Sequence, residues 1–160
     1  MILELFSGSP EDTSAIARLL GRALAPGDVV ALTGDLGAGK TLFCKGIGEA
    51  LGIPPERIAS PSFTMVTEYD GSPPLTHVDV YRIGSLREAA EIGLDETLGA
   101  GEGVCVVEWG EKVREFLPTD TIRVTFTLAG ADRRTITVSA PDQPRFFDFR
   151  SRSQRFQPGG

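Results

Sequence analysis

The residues best suited to chemistry lie in one short segment, 34–41, which reads Gly-Asp-Leu-Gly-Ala-Gly-Lys-Thr and matches the pattern G-x-x-x-x-G-K-[ST]. In this pattern the glycines let the backbone approach a polyanion, and successive backbone N–H groups form an anion-binding concavity. Lys40 is placed to reach the terminal phosphates of a nucleotide, and the Thr41 hydroxyl is placed to bind Mg²⁺. The segment therefore predicts a P-loop for a nucleoside triphosphate.

The chain on either side of this segment supports the same interpretation. The apolar run at 28–33 predicts a buried parallel strand, and residues 42–51 carry apolar side chains at helical spacing. A strand followed by the loop and then a helix is the context that a P-loop needs, because the helix directs its positive end at the phosphates. A glycine-rich turn that only joins a strand to a helix is the alternative.

Two carboxylates further along the chain are candidates for the same site. Glu108 follows the apolar run 104–107, and P-loop NTPases carry an acidic Mg²⁺ ligand at the end of such a strand. Asp79 lies on a predicted strand and can hold a metal-bound water or orient the attacking one. We predict Lys40, Asp79 and Glu108 as catalytic residues and Thr41 and Glu108 as metal ligands. Capping of the next helix is the alternative role for Glu108.

Other side chains near these carboxylates have two possible roles each. If residues 75–83 form a strand, its side chains alternate between two faces, and one face carries His77, Asp79 and Tyr81. The opposite face carries valines and is expected to pack on the core. An ordinary strand with its polar face toward water would give the same pattern. Trp109 lies at the carboxyl edge of the sheet, where it is expected to pack against the nucleotide or a moving loop, with core packing as the alternative. The segment 60–64 is expected to sense the γ-phosphate through Ser62 or Thr64, or to be a plain turn.

The remaining patterns place these candidates in a single α/β domain. They predict a strand at 1–6, a helix from Ser9 to about Leu24, antiparallel arms at 62–69 and 75–83, a helix opening at Ser85, a strand at 104–107, a short helix through Phe116, and a hairpin of 121–128 and 135–139. A chain of 160 residues is the size of one domain, here expected to span 1–140. Residues 141–160 show no periodicity and are expected to form a flexible, arginine-containing C-terminal tail.

Charge and composition reduce the range of functions that the chain is expected to have. The formal net charge is −6; the four arginines and two aspartates of residues 141–160 carry +2, so residues 1–140 carry −8. A body this acidic is a poor nucleic-acid binder, so any role in RNA chemistry is expected to run through a partner. Cys44 and Cys105 are predicted to be small buried hydrophobes, and there is no signal-peptide or membrane-span pattern. These features favour a cytoplasmic protein.

With these segments assembled, the sequence resembles a known family. The P-loop, the segments 60–64 and 77–82, and the pair Glu108-Trp109 occur in the order and with the spacing of the bacterial TsaE (YjeE) proteins, over about residues 10–140. These are small P-loop ATPases of tRNA threonylcarbamoyladenosine biosynthesis. One departure is Ser62, where the family usually has threonine; the hydroxyl is kept.

The resemblance implies a three-layer P-loop NTPase fold, with a central, mostly parallel sheet and antiparallel hairpins. It implies Mg²⁺-dependent ATP hydrolysis that is slow in the isolated protein. It also implies docking on a TsaB–TsaD heterodimer, which transfers threonylcarbamoyl to N6 of adenosine 37 in ANN-decoding tRNAs. By the same resemblance, the chain is not itself the transferase and meets tRNA only through its partners. The positions that match the family's motifs imply which residues contact ATP. These are Thr13, Asp35, Leu36, Gly37, Ala38, Gly39, Lys40, Thr41, Leu42, Trp109 and Arg133.

Two other functions stay open at the level of sequence. A small-molecule kinase shares the P-loop but generally adds a lid with several arginines, whereas the stretch 84–102 carries only Arg87. In a nucleotide-gated binding module, ATP occupancy controls assembly and hydrolysis is incidental. No arginine finger is obvious; Arg57 and Arg82 are candidates, and weak intrinsic hydrolysis completed by a partner is then expected.

Overall fold

The structure, a computed structural model, describes residues 1–35, 37–61, 65–99 and 101–160. Within these residues one sheet contains seven strands, in the spatial order β1-β7-β6-β2-β5-β4-β3. The strands are β1 Ile2–Ser7, β2 Val29–Thr33, β3 Val66–Tyr69, β4 Leu75–Asp79, β5 Val104–Glu108, β6 Ile122–Leu128 and β7 Arg134–Ser139. The expected α/β fold is confirmed.

The centre of the sheet is parallel and its flanks are antiparallel. Strands β6, β2, β5 and β4 run parallel to one another, while β3 joins β4, β7 joins β6 and β1 joins β7 in the antiparallel direction. All five residues of β5 and the first four of β2 are buried. Strands this apolar need cover on both faces, which is the reason that they occupy the parallel centre.

Helices cover both faces of this sheet. The α-helices of the described residues are α1 Pro10–Ala23, α2 Lys40–Ala50, α3 Leu86–Glu91, α4 Leu94–Gly99 and α5 Pro144–Arg152, and a 3₁₀ segment spans Gly110–Phe116. The core that contains α1, α2 and α5 includes Ile16, Phe43 and Phe149. The second core lies among α3, α4 and the 3₁₀ segment, and includes Leu94 and Val107. The arrangement gives the three layers that a P-loop fold has.

The helix starts follow the capping chemistry predicted from the sequence. Ser9 accepts a hydrogen bond from the backbone N–H of Asp12 at 3.1 Å, and Pro10 takes the first helical position of α1. Ser85 accepts from the N–H of Glu88 at 3.2 Å at the start of α3. Each cap satisfies a backbone donor that the helix itself leaves unpaired.

Strand β4 differs from the sequence-based expectation in one respect. The strand ends at Asp79, so Tyr81 lies beyond it and is 47% exposed. Both faces of β4 are buried: Val78 belongs to the second core, and Leu75 on the opposite face belongs to the first. His77 shares the face of Leu75 and has no exposed surface, because this face packs toward α2 rather than toward water.

The segment after residue 140 corrects the expectation of a flexible tail. Residues 144–152 form α5, which packs on α1, and Phe146, Phe149 and Phe156 are buried in the first core. Arg145 forms a bidentate ion pair with Asp28, with Nη2 to Oδ1 at 3.0 Å. Burial of large aromatic side chains stabilises a helix too short to form alone.

A pair of phenylalanines in α5 tests this packing. Replacing Phe149, which is 1% exposed, by alanine should lower the free energy of unfolding by about 3–5 kcal/mol, because a buried ring is lost and a cavity remains. Phe147→Ala in the same helix should change it by less than about 1 kcal/mol, because that ring is 46% exposed. Urea unfolding measures both. Equal effects of the two substitutions would contradict the docking of α5.

Candidate active site

The P-loop is placed between β2 and α2 as the sequence predicts. Lys40 is the first residue of α2, and Gly39 precedes it with a backbone φ of 107°, a left-handed conformation that favours glycine. Gly34 is needed for a different reason: a Cβ atom there would lie 3.0 Å from the Cβ of Phe126. The loop thus turns tightly against β6 and presents the N-terminus of α2 to the cleft.

The ammonium of Lys40 is held by the loop itself. Nζ donates hydrogen bonds to the carbonyl oxygens of Gly34 at 2.5 Å and Asp35 at 2.8 Å, and lies 3.8 Å from the ring centroid of Trp109. Burial lowers the pKa of Lys40, although the nearby carboxylates, Glu108 foremost, oppose this shift. The loop carbonyls therefore fix the Lys40 side chain at the cleft.

Glu108 joins the end of β5 to the start of α2. Its carboxylate is buried and accepts a hydrogen bond from the Thr41 hydroxyl, whose Oγ1 lies 3.0 Å from Oε1 and 3.1 Å from Oε2. Nε2 of His77 lies 2.5 Å from Oε2. The two residues predicted as metal ligands are thus in direct contact.

Asp79 stands beside Glu108 because β4 and β5 are parallel and the two residues are register partners. The Asp79 side chain is buried, and both its oxygens are engaged: Oδ1 accepts from the backbone N–H of Tyr81 and Oδ2 from the Ser60 hydroxyl, each at 2.9 Å. These bonds fix the orientation of the carboxylate. Sequence reasoning predicted Asp79 but did not predict Ser60 as its partner.

The aromatic residue after β5 takes an unusual backbone conformation. Trp109 has a φ of 63°, in the left-handed region that a bulky side chain rarely adopts. Its ring is half-buried between Lys40 and Tyr81, whose ring centroid lies 5.0 Å from that of Trp109. The conformation keeps the indole over the P-loop lysine, so Trp109 belongs to the cleft rather than to the core alone.

These groups converge on one cleft of about 430 Å³, a size in the range of small-molecule sites. Its lining residues are Gly37, Gly39, Lys40, Thr41, Leu42, Ser60, Asp79, Tyr81, Arg82, Glu108 and Trp109. No group of three or more His, Cys, Asp or Glu side chains among the described residues could hold a metal alone. Mg²⁺ is usually held by one or two protein oxygens together with phosphates, so the oxygens of Thr41 and Glu108 fit that ion.

A second, smaller depression of about 190 Å³ lies on the other side of the P-loop. It is lined by Pro10, Thr13, Gly37, Ala38, Gly39, Leu42, Asp132 and Arg134. Thr13 is buried and shares a 2.7 Å hydrogen bond with Ser7. The loop therefore separates the cleft that holds the carboxylates from a pocket that faces α1 and the β6–β7 hairpin.

Comparison with known proteins places the chain in a family. The family model described as "Threonylcarbamoyl adenosine biosynthesis protein TsaE" matches residues 7–136. The chain belongs to the TsaE family. It is 48% identical over 133 residues to the tRNA threonylcarbamoyladenosine biosynthesis protein TsaE of Bacillus subtilis, which covers 82% of each chain. It is 44% identical to the Treponema pallidum protein of the same name, over 83% of this chain and 97% of that one.

A solved structure agrees with this assignment. The crystal structure of Bacillus subtilis YdiB superposes with a TM-score of 0.74 at 42% sequence identity, and covers 97% of this chain and 95% of that one. The family model itself ends at residue 136, before α5, whereas the superposition with YdiB extends over nearly the whole chain. No helix of the described residues is both long and apolar enough to cross a membrane.

The structure places two adjacent arginines at the start of β7 in different surroundings, and one of them, Arg133, is a residue that the TsaE resemblance implied. Arg133 is exposed and does not line the cleft, whereas Arg134 reaches the P-loop: its Nε donates to the Ala38 carbonyl at 3.1 Å and its Nη2 to that of Gly37 at 3.4 Å. No pattern in the sequence separates the two adjacent arginines. Leu36, Ser62 and Thr64, also proposed from the sequence, lie outside the described residues.

Substitution of these adjacent arginines distinguishes them. We expect Arg134→Ala to weaken nucleotide binding by about tenfold or more, because the charged hydrogen bonds that hold the loop are lost. Arg133→Ala should change the dissociation constant by less than about threefold, since that side chain is exposed. Fluorescence titration with a labelled ADP measures both. The opposite ranking would identify Arg133, and not Arg134, as the residue that supports nucleotide binding.

Proposed function

We propose that this TsaE-family chain is a Mg²⁺-dependent ATPase required for formation of the threonylcarbamoyl group on N6 of adenosine 37 in ANN-decoding tRNAs. The observation that carries the proposal is the meeting of Lys40, Thr41, Asp79 and Glu108 in one cleft. The names of the matched relatives supply the pathway, and the P-loop geometry supplies the chemistry. Hydrolysis is the activity that a lysine, a metal site and a second carboxylate support together.

Each of these side chains has a distinct part in the proposed reaction. The loop N–H groups and Lys40 bind the β- and γ-phosphates, and Thr41 and Glu108 hold Mg²⁺. When bound, Mg²⁺ neutralises charge that develops on the phosphate oxygens. Asp79, fixed by Ser60 and the backbone of Tyr81, orients the attacking water and accepts its proton.

The architecture of the chain favours hydrolysis over small-molecule phosphorylation. Leu94 and Leu98 of α4 are buried in the second core, and Ala89 of α3 joins them there. These short helices therefore pack on the sheet and do not form an arginine-bearing lid over the cleft. Kinases need such a lid to exclude water from the transferred phosphoryl group.

Partners are expected to complete the site. Arg82 lines the cleft but its side chain is exposed, and we propose that docking on the TsaB–TsaD heterodimer raises the weak intrinsic rate. The TsaB–TsaD pair, not this chain, is then the transferase and the holder of tRNA. The acidic body of the chain, −8 over residues 1–140, supports an indirect contact with tRNA.

Substitution of Asp79 tests the proposed chemistry. Asp79→Asn should lower the Mg²⁺-dependent release of phosphate from ATP by at least about a hundredfold, because the amide cannot accept the proton. Asp95→Asn, at an exposed carboxylate of α4, is the matched control and should keep the full rate. Both proteins should bind labelled ADP with unchanged affinity. Full hydrolysis by Asp79→Asn would exclude this carboxylate from catalysis.

Addition of purified TsaB and TsaD tests the proposed partnership. The ATPase rate should rise by at least about tenfold, since a partner that completes a P-loop site can contribute ~10³–10⁵-fold. Multiple turnovers of tRNA modification should then require the chain. If Glu108→Gln sustains those turnovers while hydrolysis is lost, nucleotide occupancy is the signal and the nucleotide-gated binding module is the correct function.

A further inference from the structure

His77 occupies a position where an apolar residue is the simpler choice. It lies in the middle of β4 with no exposed surface, and its register partner on β5 is Val106, which is equally buried. Leu75, two residues earlier on the same face, is also fully buried in the first core. A polar imidazole in such surroundings is destabilising unless its nitrogens are paired.

Only one of the two ring nitrogens is paired within the described residues. Nε2 lies 2.5 Å from Oε2 of Glu108, while Nδ1 has no hydrogen-bond partner there. An unpaired buried nitrogen lowers stability, because its hydration is lost without replacement. Core packing therefore does not explain the imidazole, and the contact with Glu108 is the interaction that does.

The contact acts on one oxygen of the carboxylate. The Thr41 hydroxyl has a single proton and lies at nearly equal distances, 3.0 and 3.1 Å, from the two oxygens of Glu108. Thr41 alone therefore leaves the rotation of the carboxylate undetermined. The imidazole engages Oε2 only, which breaks this equivalence and leaves Oε1 to accept from the Thr41 hydroxyl.

We propose that His77 is a positioning residue that orients the Glu108 carboxylate for Mg²⁺ binding. The inference rests on the proposed Mg²⁺-dependent function. When a group that hydrogen-bonds to a metal ligand is removed, the affinity for the metal typically falls by about 10–100-fold. His77 does not line the cleft, so its effect on the ion runs through Glu108.

Metal affinity, measured apart from catalysis, tests the proposal. Mn²⁺ binding to the full chain, saturated with a non-hydrolysable ATP analogue, is followed by electron paramagnetic resonance. His77→Phe, which fills the space without a donor, should raise the dissociation constant of Mn²⁺ by about 10–100-fold. His77→Gln, whose amide nitrogen can occupy the place of Nε2, should restore it to within about threefold of the wild-type value.

A second substitution separates positioning from a loss of packing. Val106→Ala removes buried volume beside His77 without removing a hydrogen-bond donor. It should lower stability but leave Mn²⁺ affinity unchanged. Binding of labelled ADP in the presence of EDTA should be the same in all four proteins. An effect of Val106→Ala equal to that of His77→Phe would show a merely structural role and overturn the proposal.

The chain contains a single histidine, so its ring can be observed directly in the wild-type protein. Nitrogen-15 NMR should show a proton on Nε2, and Glu108→Gln should shift that resonance. An unshifted resonance would overturn the proposal even if the histidine variants fail to fold. If the wild-type protein binds no Mn²⁺ in the presence of nucleotide, both the proposed function and the inference are contradicted. If His77→Phe binds Mn²⁺ with wild-type affinity, only the inference is contradicted.

Discussion

The hydrogen bond between the Thr41 hydroxyl and the Glu108 carboxylate joins two parts of the chain that are 67 residues apart. One partner belongs to the first turn of α2, the other to the last residue of β5. The bond forms because β2, which leads into the P-loop, pairs in parallel with β5, so that both strands end at the same edge of the sheet. His77 contacts the same carboxylate and Asp79 is the register partner of Glu108, so the neighbouring polar groups of β4 meet at this junction.

The junction places charge in a poorly solvated environment. Lys40, Asp79 and Glu108 are each buried, and isolated charges in such a place are strongly unfavourable. The structure offsets this with dense hydrogen bonding: loop carbonyls for the lysine, Ser60 and a backbone N–H for Asp79, and Thr41 and His77 for Glu108. The result is a set of charged groups whose orientations are fixed by hydrogen bonds from the protein itself.

The surroundings of the cleft rely on distant elements. The guanidinium of Arg134, at the start of β7, links the P-loop carbonyls to the β6–β7 hairpin. Helix α5, which lies beyond the residues matched by the family model, anchors the opposite end of β2 through the pair of Arg145 and Asp28. The outer antiparallel strands and the C-terminal helix thus support the strand that carries the loop.

The sequence by itself determined the P-loop, the two carboxylates and most of the strands and helices. These depend on local properties: residue spacing for Lys40 and Thr41, apolar runs for the buried strands, and capping residues for α1 and α3. Such signals act within a few residues, and so they can be interpreted without the fold.

Tertiary structure alone decided which neighbours those residues meet. Alternation placed His77 and Asp79 on one face of β4, but only the pairing of β4 with β5 and the packing of α2 turned that face inward and set His77 against Glu108. The contact of Arg134 with the P-loop carbonyls depends on the hairpin that presents it, and the order of the C-terminal segment depends on a core that accepts Phe146 and Phe149. In each case the physical reason is the same: burial and hydrogen bonding between distant segments are set by the packing of whole elements, which no local pattern encodes.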